Sequence, residues 1–382
     1  MPSENHRLKW IYKMDSQIIH VNNDGKAAYD IILSRDFAAF DYGNKDKRLC
    51  IVTDSNVAKY CLNDTVASLS RHFKDIITFT FDAGEENKNL ETVQDLYAFL
   101  IENHFDRKCV LGALGGGVVG DLTGFAAATY LRGIPFIQIP TSLLACVDSS
   151  VGGKTGVDFR RYKNMVGAFN MPELVYMNTS LMATLPDREV SCGMAEVIKY
   201  GYIMDRDFLD IISQNSGALL AKDPEALGAI VKRCCECKKE VVEEDPYEKG
   251  RRAILNFGHT AGHAVEKAAG FKLNHGECVA IGMNAALYIS ENRGYISSSD
   301  REKALELMIC FNLPVTVPKE IKSAPELSSA LTNQALIDNM RSDKKTLDGN
   351  IRFVLLKETG EAFVCGDVSE DEINIALEVV LS

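Results

Sequence analysis

The sequence predicts an α/β N-terminal domain with a Rossmann-like parallel sheet and crossover helices, followed by a mainly α-helical C-terminal domain. Two observations predict this division. Up to about residue 176, short β-rich runs alternate with helical patterns, which is typical of parallel strands joined by helices. From about Leu181 onward, strand patterns become rare and long amphipathic segments dominate. We expect domains over residues 1–176 and 177–382, with the active site in the cleft between them.

The predicted strands of the first half are short runs of apolar and β-branched residues. In chain order they read YDIIL, RLCIVTD, DIITFTF, RKCVLGALGGG, PFIQIPTS and ELVYMN. The predicted helices of the second half repeat apolar residues with a helical period, in REVSCGMAEVIKYGYIM, ALGAIVKRCCECKKEVVEED and GECVAIGMNAALYISENRG. Near the C-terminus, only GNIRFVLLKETG has the pattern of a returning strand.

Length and composition indicate an ordinary globular protein. The chain has 382 residues, of which 46% are hydrophobic, enough for two domains with substantial cores. The polar opening MPSENHRLKW and the absence of an apolar run of roughly 18 residues predict no signal peptide and no membrane span. The odd number of cysteines, 11, without a spacing framework, favours a reducing compartment. We therefore expect a cytoplasmic protein.

Charge and cysteine spacing exclude two further classes of function. The net charge of −11 argues against a general nucleic-acid or acidic-membrane binder, because phosphate contacts need a basic surface. Any anionic ligand must then find a local basic pocket. The CCEC segment, Cys234–Cys237, contains a C-x-x-C spacing, but it lies in a predicted helix and lacks a second Cys or His pair, so we interpret it as structural.

The segment LGALGGGVVGDLTGFAA places Gly115, Gly117 and Gly120 in a G-x-G-x-x-G pattern between a strand and a helix. Such glycines let the backbone approach a pyrophosphate at the helix N-terminus. The acidic residue expected about 20 positions later is missing, so the pattern alone also fits a tight turn. Polar residues after the predicted strands favour a ligand site at this edge of the sheet: Asp54, Asn56, Asp121, Thr141 and Ser142.

The segment DSSVGGKTG resembles a P-loop only superficially, because Asp148 occupies a position where that motif requires glycine. What remains is Lys154 in a loop of small residues, followed by Lys163 and Asn164 in YKNMVGAF. A single loop lysine is usually solvated. Several lysines near glycines indicate a functional loop.

The segment LNFGHTAGHAVE contains His259 and His263, which share one helical face because they lie four residues apart. With His275, three of the seven histidines fall within seventeen residues. The zinc protease motif H-E-x-x-H needs a Glu after the first His, and Thr260 stands there instead. The spacing therefore leaves open which of these histidines bind a metal.

From about Tyr29 to the C-terminus, the chain resembles the 3-dehydroquinate synthases of the sugar-phosphate cyclase superfamily. The resemblance rests on long motifs in one order: GGGVVGDLTGFAAATYLRGIPFIQIPTSLLACVDSSVGGKTGVD, KNMVGAF, TLPDREVSCGMAEVIKYG, RCCECKKEVVEED, LNFGHTAGHAVE and NHGECVAIGM. It implies the two-domain fold predicted above, one NAD⁺, one divalent metal, usually Zn²⁺ with Co²⁺ as an alternative, and a homodimer. It also implies a lyase that acts on a seven-carbon sugar-acid phosphate in the shikimate pathway of aromatic biosynthesis.

Residue by residue, the resemblance assigns the metal to Glu196, His259 and His275, and places His263 near the substrate phosphate. It implies that Gly262 permits close approach of a ligand. The implied substrate contacts are Asp148, Lys154, Asn164, Lys199, Lys238, Arg252, Asn256, one or both of Lys344 and Lys345, and Arg132, which would reach the phosphate across the dimer. The implied NAD⁺ contacts are Asp54, Asn56, Glu85, Lys88, Gly116, Gly117, Asp121, Thr141, Ser142, Lys154, Lys163, Thr184 and Glu189.

The implied reaction converts 3-deoxy-D-arabino-heptulosonate 7-phosphate to 3-dehydroquinate and phosphate. It proceeds by transient NAD-dependent oxidation, phosphate elimination, reduction, ring opening and aldol cyclisation. A related cyclase that makes a cyclitol or inosose would lack a substrate carboxylate, whereas Lys238 and Arg252 supply basic partners for one. An amino-substituted acid substrate stays open. The segment VDFRRY departs from the N-x-P-x-G type of segment that many members carry, which puts the detail of that loop in doubt.

Two other reaction classes share single features with this sequence. Metal-dependent polyol dehydrogenases share a similar glycine loop, but they release NADH and need no lysine-rich phosphate pocket. A zinc hydrolase that uses His259 and His263 fails because Thr260 replaces the required Glu.

Overall fold

The computed structural model describes residues 16–160, 162–342 and 351–382. The chain forms two compact units. The first unit comprises the described residues up to Pro186 together with Lys222–Tyr247. The second comprises Asp187–Ala221 and the described residues from Glu248 onward. The helix Pro224–Glu244, which the sequence analysis placed in the second domain, therefore groups with the first unit, where it packs on the turn Ala145–Ser149.

The first unit is built on a seven-stranded sheet with the order β1-β2-β9-β6-β5-β3-β4. Only β1 and β2 pair antiparallel. The predicted strands are confirmed as β2, β3, β4, β5, β6 and β9. The sequence analysis missed the edge strand β1 and a separate antiparallel hairpin, β7–β8. The bounds are β1 Gln17–Asn23, β2 Lys26–Ser34, β3 Arg48–Asp54, β4 Asp75–Phe81, β5 Val110–Gly115, β6 Phe136–Pro140, β7 Lys154–Phe159, β8 Tyr162–Phe169 and β9 Leu174–Asn178.

The sheet is buried on both faces, which explains why its inner strands read as continuous apolar runs. In β3, Cys50 and Val52 face one apolar cluster, and Leu49 and Ile51 face another. The helices of this unit are α1 Ser55–Val57, α2 Asn63–Leu69, α3 Leu90–Glu102, α4 Gly117–Thr129 and α8 Pro224–Glu244. Short 3₁₀ and π-helical segments span Ala58–Leu62, Glu85–Asn87, Tyr130–Arg132, Ala145–Ser149 and Thr179–Thr184.

The strand order reverses between β3 and β5, because β3 pairs with β4 on one side and β5 on the other. In open α/β sheets, ligands bind outside the carboxyl ends of the strands at such a switch point. Asp54 ends β3 and Gly115 ends β5, so the glycine loop lies at this point.

The second unit is mainly helical, as predicted. Its helices are α5 Asp187–Met204, α6 Arg206–Gln214, α7 Ser216–Leu220, α9 His259–Ala268, α10 His275–Asn292, α11 Ser298–Cys310, α12 Lys319–Lys322, α13 Asn333–Ser342 and α14 Glu370–Leu381, with a 3₁₀ helix at Arg251–Asn256. The predicted C-terminal strand is β10 (Phe353–Glu358). This strand is therefore confirmed, and it pairs in a hairpin with β11 (Glu361–Cys365), which was not predicted.

Three glycines let α5, α9 and α10 approach one another closely. A Cβ at Gly262 of α9 would lie 2.7 Å from the carbonyl oxygen of Cys278 in α10. A Cβ at Gly276 of α10 would lie 2.2 Å from the carbonyl oxygen of Cys192 in α5. At Gly282, it would lie 1.8 Å from a backbone oxygen at the start of α9. Gly262 thus accommodates a neighbouring helix, and its expected role of admitting a ligand stays a prediction.

Within the part of the chain that the structure describes, no helix combines the length and the apolar composition needed to cross a membrane.

Candidate active site

The three predicted metal ligands come together in the second unit from three different helices. Glu196 lies in α5, whereas His259 and His275 are the first residues of α9 and α10. The Oε1 atom of Glu196 lies 3.7 Å from Nε2 of each imidazole, and the three ligand atoms lie within 4.8 Å of one another. Each 3.7 Å separation is longer than a hydrogen bond. Ligand atoms on a tetrahedral zinc ion lie roughly 3.3 Å apart, so a divalent cation fits this donor set.

The ring orientation of His259 is fixed by the backbone. Its Nδ1 lies 3.1 Å from the carbonyl oxygen of Phe257, which can only accept a hydrogen bond. The proton is therefore placed on Nδ1, and the lone pair of Nε2 points toward Glu196. This is the tautomer that a metal ligand at Nε2 requires.

Glu196 is a fully buried carboxylate, and Lys199 compensates part of its charge. The side chains of Glu196 and Lys199 are 0% and 1% exposed, and Nζ of Lys199 contacts Oε2 of Glu196 one helical turn away. Because Lys199 occupies Oε2, the carboxylate presents Oε1 to the two imidazoles. A buried charge needs such compensation, since desolvation costs several kcal/mol per ion.

His275 lies between two carboxylates. Its Nε2 faces Glu196, and its Nδ1 lies 3.6 Å from Oε2 of Glu266, whose side chain is 6% exposed. Burial lowers the pKa of His275, but the two neighbouring carboxylates outweigh burial and raise that pKa to about 9. The sequence analysis missed Glu266.

His263 lies beside this cluster. Its ring centroid is 5.2 Å from that of His259 and 5.8 Å from that of His275. It is not part of the Glu196 group, but with Glu266 and His275 it forms a second group close enough to hold a cation. The assignment of His263 to the substrate phosphate stays a prediction.

Two further predicted substrate contacts lie on the 3₁₀ helix Arg251–Asn256. Arg252 is one of the largest fully buried side chains, with 1% exposure. Asn256 donates from Nδ2 to Oε1 of Glu248 at 2.8 Å. Sequence reasoning did not single out Glu248, because an acidic residue in a charged loop carries no distinctive pattern.

The carboxyl edge of the first unit holds a polar cluster centred on Lys88. Its Nζ donates to Oδ2 of Asp121 at 2.7 Å and to Oδ1 of Asn164 at 2.6 Å. Burial opposes the charge of Lys88, but the nearby Asp121, Glu85 and Asp158 carboxylates raise its pKa. Asn164, a predicted substrate contact, thus lies beside two predicted NAD⁺ contacts. Its backbone N–H donates to Asp158, which sequence reasoning missed.

The glycine loop forms the strand-to-helix turn that the pattern predicts. Gly116 caps α4, and a Cβ at Gly115 would lie 2.5 Å from Val119. A Cβ at Gly120 would lie 2.7 Å from Gln138 of β6, so the third glycine serves packing between helix and strand. The N-terminus of α4 is thereby left accessible at the sheet edge, where the helix dipole favours a phosphate.

Most of the remaining predicted cofactor contacts lie in the first unit. Asp54 caps α1 by accepting hydrogen bonds from the backbone N–H groups of Asn56 and Val57 at 2.8 and 2.9 Å. This capping is a structural role that does not require NAD⁺. Nζ of Lys163 lies 3.4 Å from Oε1 of Glu85. Lys154 is exposed at the start of β7. The others take part in hydrogen bonds within their own units: Thr141 and Ser142 after β6, Thr184 with Leu181, and, in the second unit, Glu189 with Asn274.

Three further predictions concern basic residues. Lys238 is buried in α8, and its Nζ donates to Oδ1 of Asp148 at 2.6 Å, which joins two predicted substrate contacts within the first unit. Arg132 is exposed and has a φ of 68°, a strained conformation typical of functional positions. Lys344 and Lys345 lie outside the described residues.

Sequence comparison decides the family. The profile of the 3-dehydroquinate synthase N-terminal domain matches residues 78–192, and that of the C-terminal domain matches residues 193–346. The chain belongs to the 3-dehydroquinate synthase family. The 3-dehydroquinate synthase of Hydrogenovibrio crunogenus is 45% identical over 84% of this chain and 86% of its own length. That of Symbiobacterium thermophilum is 45% identical over 87% and 91%, respectively.

A solved structure shares the fold of this 3-dehydroquinate synthase family member. ValA, the 2-epi-5-epi-valiolone synthase of Streptomyces hygroscopicus subsp. jinggangensis 5008, was solved with NAD⁺ and Zn²⁺ bound. It superposes with a TM-score of 0.82 at 28% identity and covers 95% of this chain and 99% of its own.

Proposed function

We propose that the chain is a 3-dehydroquinate synthase, a carbon–oxygen lyase that converts 3-deoxy-D-arabino-heptulosonate 7-phosphate to 3-dehydroquinate and phosphate. The observation that carries this proposal is identity of 45% to curated 3-dehydroquinate synthases across most of both chains. The identity to the valiolone synthase is only 28%. The proposed step belongs to the shikimate pathway of aromatic amino-acid biosynthesis.

We propose that Glu196, His259 and His275 hold one divalent metal, Zn²⁺ or Co²⁺. The meeting of one carboxylate oxygen and two imidazole nitrogens supports this assignment. NAD⁺ is proposed to bind at the carboxyl edge of the first unit, where Lys88, Asp121 and the N-terminus of α4 lie. When bound, NAD⁺ supplies reversible hydride transfer and the metal supplies a Lewis acid.

The other predicted substrate contacts, most of them basic, are proposed to hold the two anionic groups of the substrate. Lys154, Lys199, Asn164 and His263 bind the phosphate, with Arg132 supplied by a second subunit of a homodimer. Arg252 and Lys238 bind the carboxylate, for which a guanidinium offers two parallel hydrogen bonds. The contact of Lys238 with Asp148 supports a fixed position for its ammonium group. Together these residues give an acidic chain the local positive charge that a dianionic phosphate needs.

The eleven cysteines all carry free thiols, which supports a reducing, cytoplasmic location.

The leading alternative is a related cyclase that acts on a sugar phosphate without a carboxylate. A phosphate-release assay with the heptulosonate phosphate and with sedoheptulose 7-phosphate separates the two. We expect release from the first substrate alone. Preferential turnover of sedoheptulose 7-phosphate would contradict the proposed function.

A further inference from the structure

The structure assigns to Glu266 a role that was not predicted from the sequence: we propose that it is a positioning residue that accepts the Nδ1 proton of His275 and so presents Nε2 of that ring to the metal. This inference rests on the proposed metal site of the preceding section, and it adds a residue to that site.

Glu266 lies on the same helical face as two of the histidines. His259, His263 and Glu266 occupy positions i, i+4 and i+7 of α9, so all three project from one face. This face is turned toward the start of α10, because Glu266 lies 3.6 Å from the Nδ1 atom of His275. The carboxylate is buried, with 6% exposure of its side chain. A buried carboxylate is costly unless it accepts hydrogen bonds, so a donor at this distance is significant.

The two imidazole ligands are held in the same way. In both rings, Nε2 lies 3.7 Å from Oε1 of Glu196. In both rings, Nδ1 faces an oxygen that accepts: the carbonyl of Phe257 for His259 and the carboxylate of Glu266 for His275. An imidazole can bind a metal through only one lone pair when its other nitrogen carries the proton, so each Nδ1 acceptor selects the ligand tautomer.

The separation of 3.6 Å is longer than a hydrogen bond by about 0.4 Å, a gap that a small rotation of either side chain within its rotamer closes. The anionic oxygen then also increases the electron density of the ring. An aspartate, one methylene shorter, would not reach. Glutamine keeps the size and an accepting oxygen but removes the charge.

The competing possibility is that Glu266 is itself a ligand of a second cation, since Glu266, His263 and His275 also lie close enough together. A proton on Nδ1 of His275 and a second metal there exclude each other. The number of metal ions bound per chain therefore distinguishes the two roles.

The test is metal affinity without substrate. The chain is stripped with a chelator and titrated with Zn²⁺ in competition with a chromophoric chelator. The variants are Glu266→Gln and Glu266→Ala, and Glu291→Gln is the matched control. Glu291 lies near the end of α10, where its half-buried carboxylate pairs with Arg301. We expect one Zn²⁺ per chain and a loss of affinity of roughly ten- to a hundredfold for Glu266→Gln, a larger loss for Glu266→Ala, and wild-type affinity for the control.

Histidine side-chain ¹⁵N NMR of the zinc-loaded protein gives a second readout. It should place the proton of His275 on Nδ1 in the wild type. Unchanged zinc affinity in Glu266→Gln, or two zinc ions per chain, would overturn the role of Glu266 and leave the proposed reaction intact. A wild-type chain that binds no divalent metal would overturn the proposed metal site and this inference together.

Discussion

Lys199 and Glu196 form a buried ion pair one turn apart on α5, with Nζ of Lys199 in contact with Oε2 of Glu196. This contact leaves Oε1 directed at the Nε2 atoms of His259 and His275. The pair thus links the predicted substrate residue Lys199 to the predicted metal ligand Glu196. One carboxylate oxygen of Glu196 contacts the ammonium group, and the other faces the two imidazoles.

Replacement of Lys199 by Met should make the protein more dependent on metal for its stability. Breaking a buried ion pair costs about 3–5 kcal/mol, so the metal-free variant should unfold at a clearly lower temperature. Bound zinc restores part of this loss, because it neutralises Glu196. Thermal unfolding with chelator and with zinc measures both forms. Lys303→Met, at an exposed position of α11, is the control. Equal zinc-induced increases in Tm for Lys199→Met and the wild type would contradict this account.

The different roles proposed for the three histidines predict different zinc contents in their variants. His259→Asn and His275→Asn should each lower bound zinc well below one ion per chain, because each removes a ligand nitrogen. His263→Asn should retain about one zinc per chain while activity falls roughly a hundredfold or more, as expected for the loss of a group that acts on the substrate. Elemental analysis and a phosphate-release assay measure the two effects. Loss of zinc in His263→Asn would show that His263 is a ligand.

Removal of the metal should abolish activity, and zinc or cobalt should restore it. The structural reason is that Glu196 and the two imidazoles present three donors to one point, which leaves coordination positions for substrate oxygens. The assay follows phosphate release during dialysis against a chelator and after re-addition of each metal. Full activity in protein that elemental analysis finds free of metal would contradict the site.

Arg252→Met should impair turnover of the carboxylated substrate. Loss of one partner of a buried charge pair costs about 2–5 kcal/mol, so kcat/KM should fall at least about thirtyfold, with bound zinc unchanged. Arg206→Met, at an exposed position of α6, is the matched control. Steady-state kinetics on both variants tests the assignment. A value of kcat/KM equal to that of the wild type would remove Arg252 from the substrate site.

Lys88→Met should weaken NAD⁺ binding roughly ten- to a hundredfold, because hydrogen bonds to charged groups contribute about 1.5–3 kcal/mol and Lys88 donates to both Asp121 and Asn164. Isothermal titration with NAD⁺ measures the effect, and Lys108→Met, an exposed lysine of the same unit, serves as the control. If both variants bind NAD⁺ equally well, the Lys88 cluster is structural.

The ion pair of Arg293 with Glu372 predicts a pH dependence of stability. Hydrogen bonds from Arg293 lower the pKa of Glu372 from 4.5 to about 2. Because the folded-state pKa is depressed, this stabilisation is complete above about pH 4.5 and is lost as the pH falls toward 2. Glu372→Gln should therefore cost roughly 1–2 kcal/mol at neutral pH, and less in acid, since the carboxylate is partly exposed. Urea unfolding as a function of pH tests this, with Glu378→Gln on the same helix as control. An equal cost at pH 3 and pH 7 would contradict the assignment.

The sequence predicted the inner strands well because their burial on both faces produces apolar runs, as in RLCIVTD and LVYMN. It failed for the β7–β8 hairpin, whose second strand, YKNMVGAF, is half exposed and has no regular alternation. The grouping of α8 with the first unit also could not be predicted, because the chain enters the second unit and returns, and local periodicity does not record which surface a helix packs on.

At the candidate site, the spacing of His259 and His263 could not separate a metal ligand from a neighbouring histidine. That separation depends on where α5 and α10 bring Glu196 and His275, which only the three-dimensional structure gives. Glu266 could have been found, because position i+7 continues the face that His259 and His263 define.

The most direct test of the central claim is a single-pot assay of the wild-type chain with the heptulosonate phosphate, NAD⁺ and zinc, in which phosphate release and absorbance at the NADH band are followed together. We expect one phosphate per substrate consumed, a dependence on a catalytic amount of NAD⁺, and no accumulation of NADH. Formation of NADH in proportion to substrate consumed, or phosphate release that needs no NAD⁺, would contradict the proposed function.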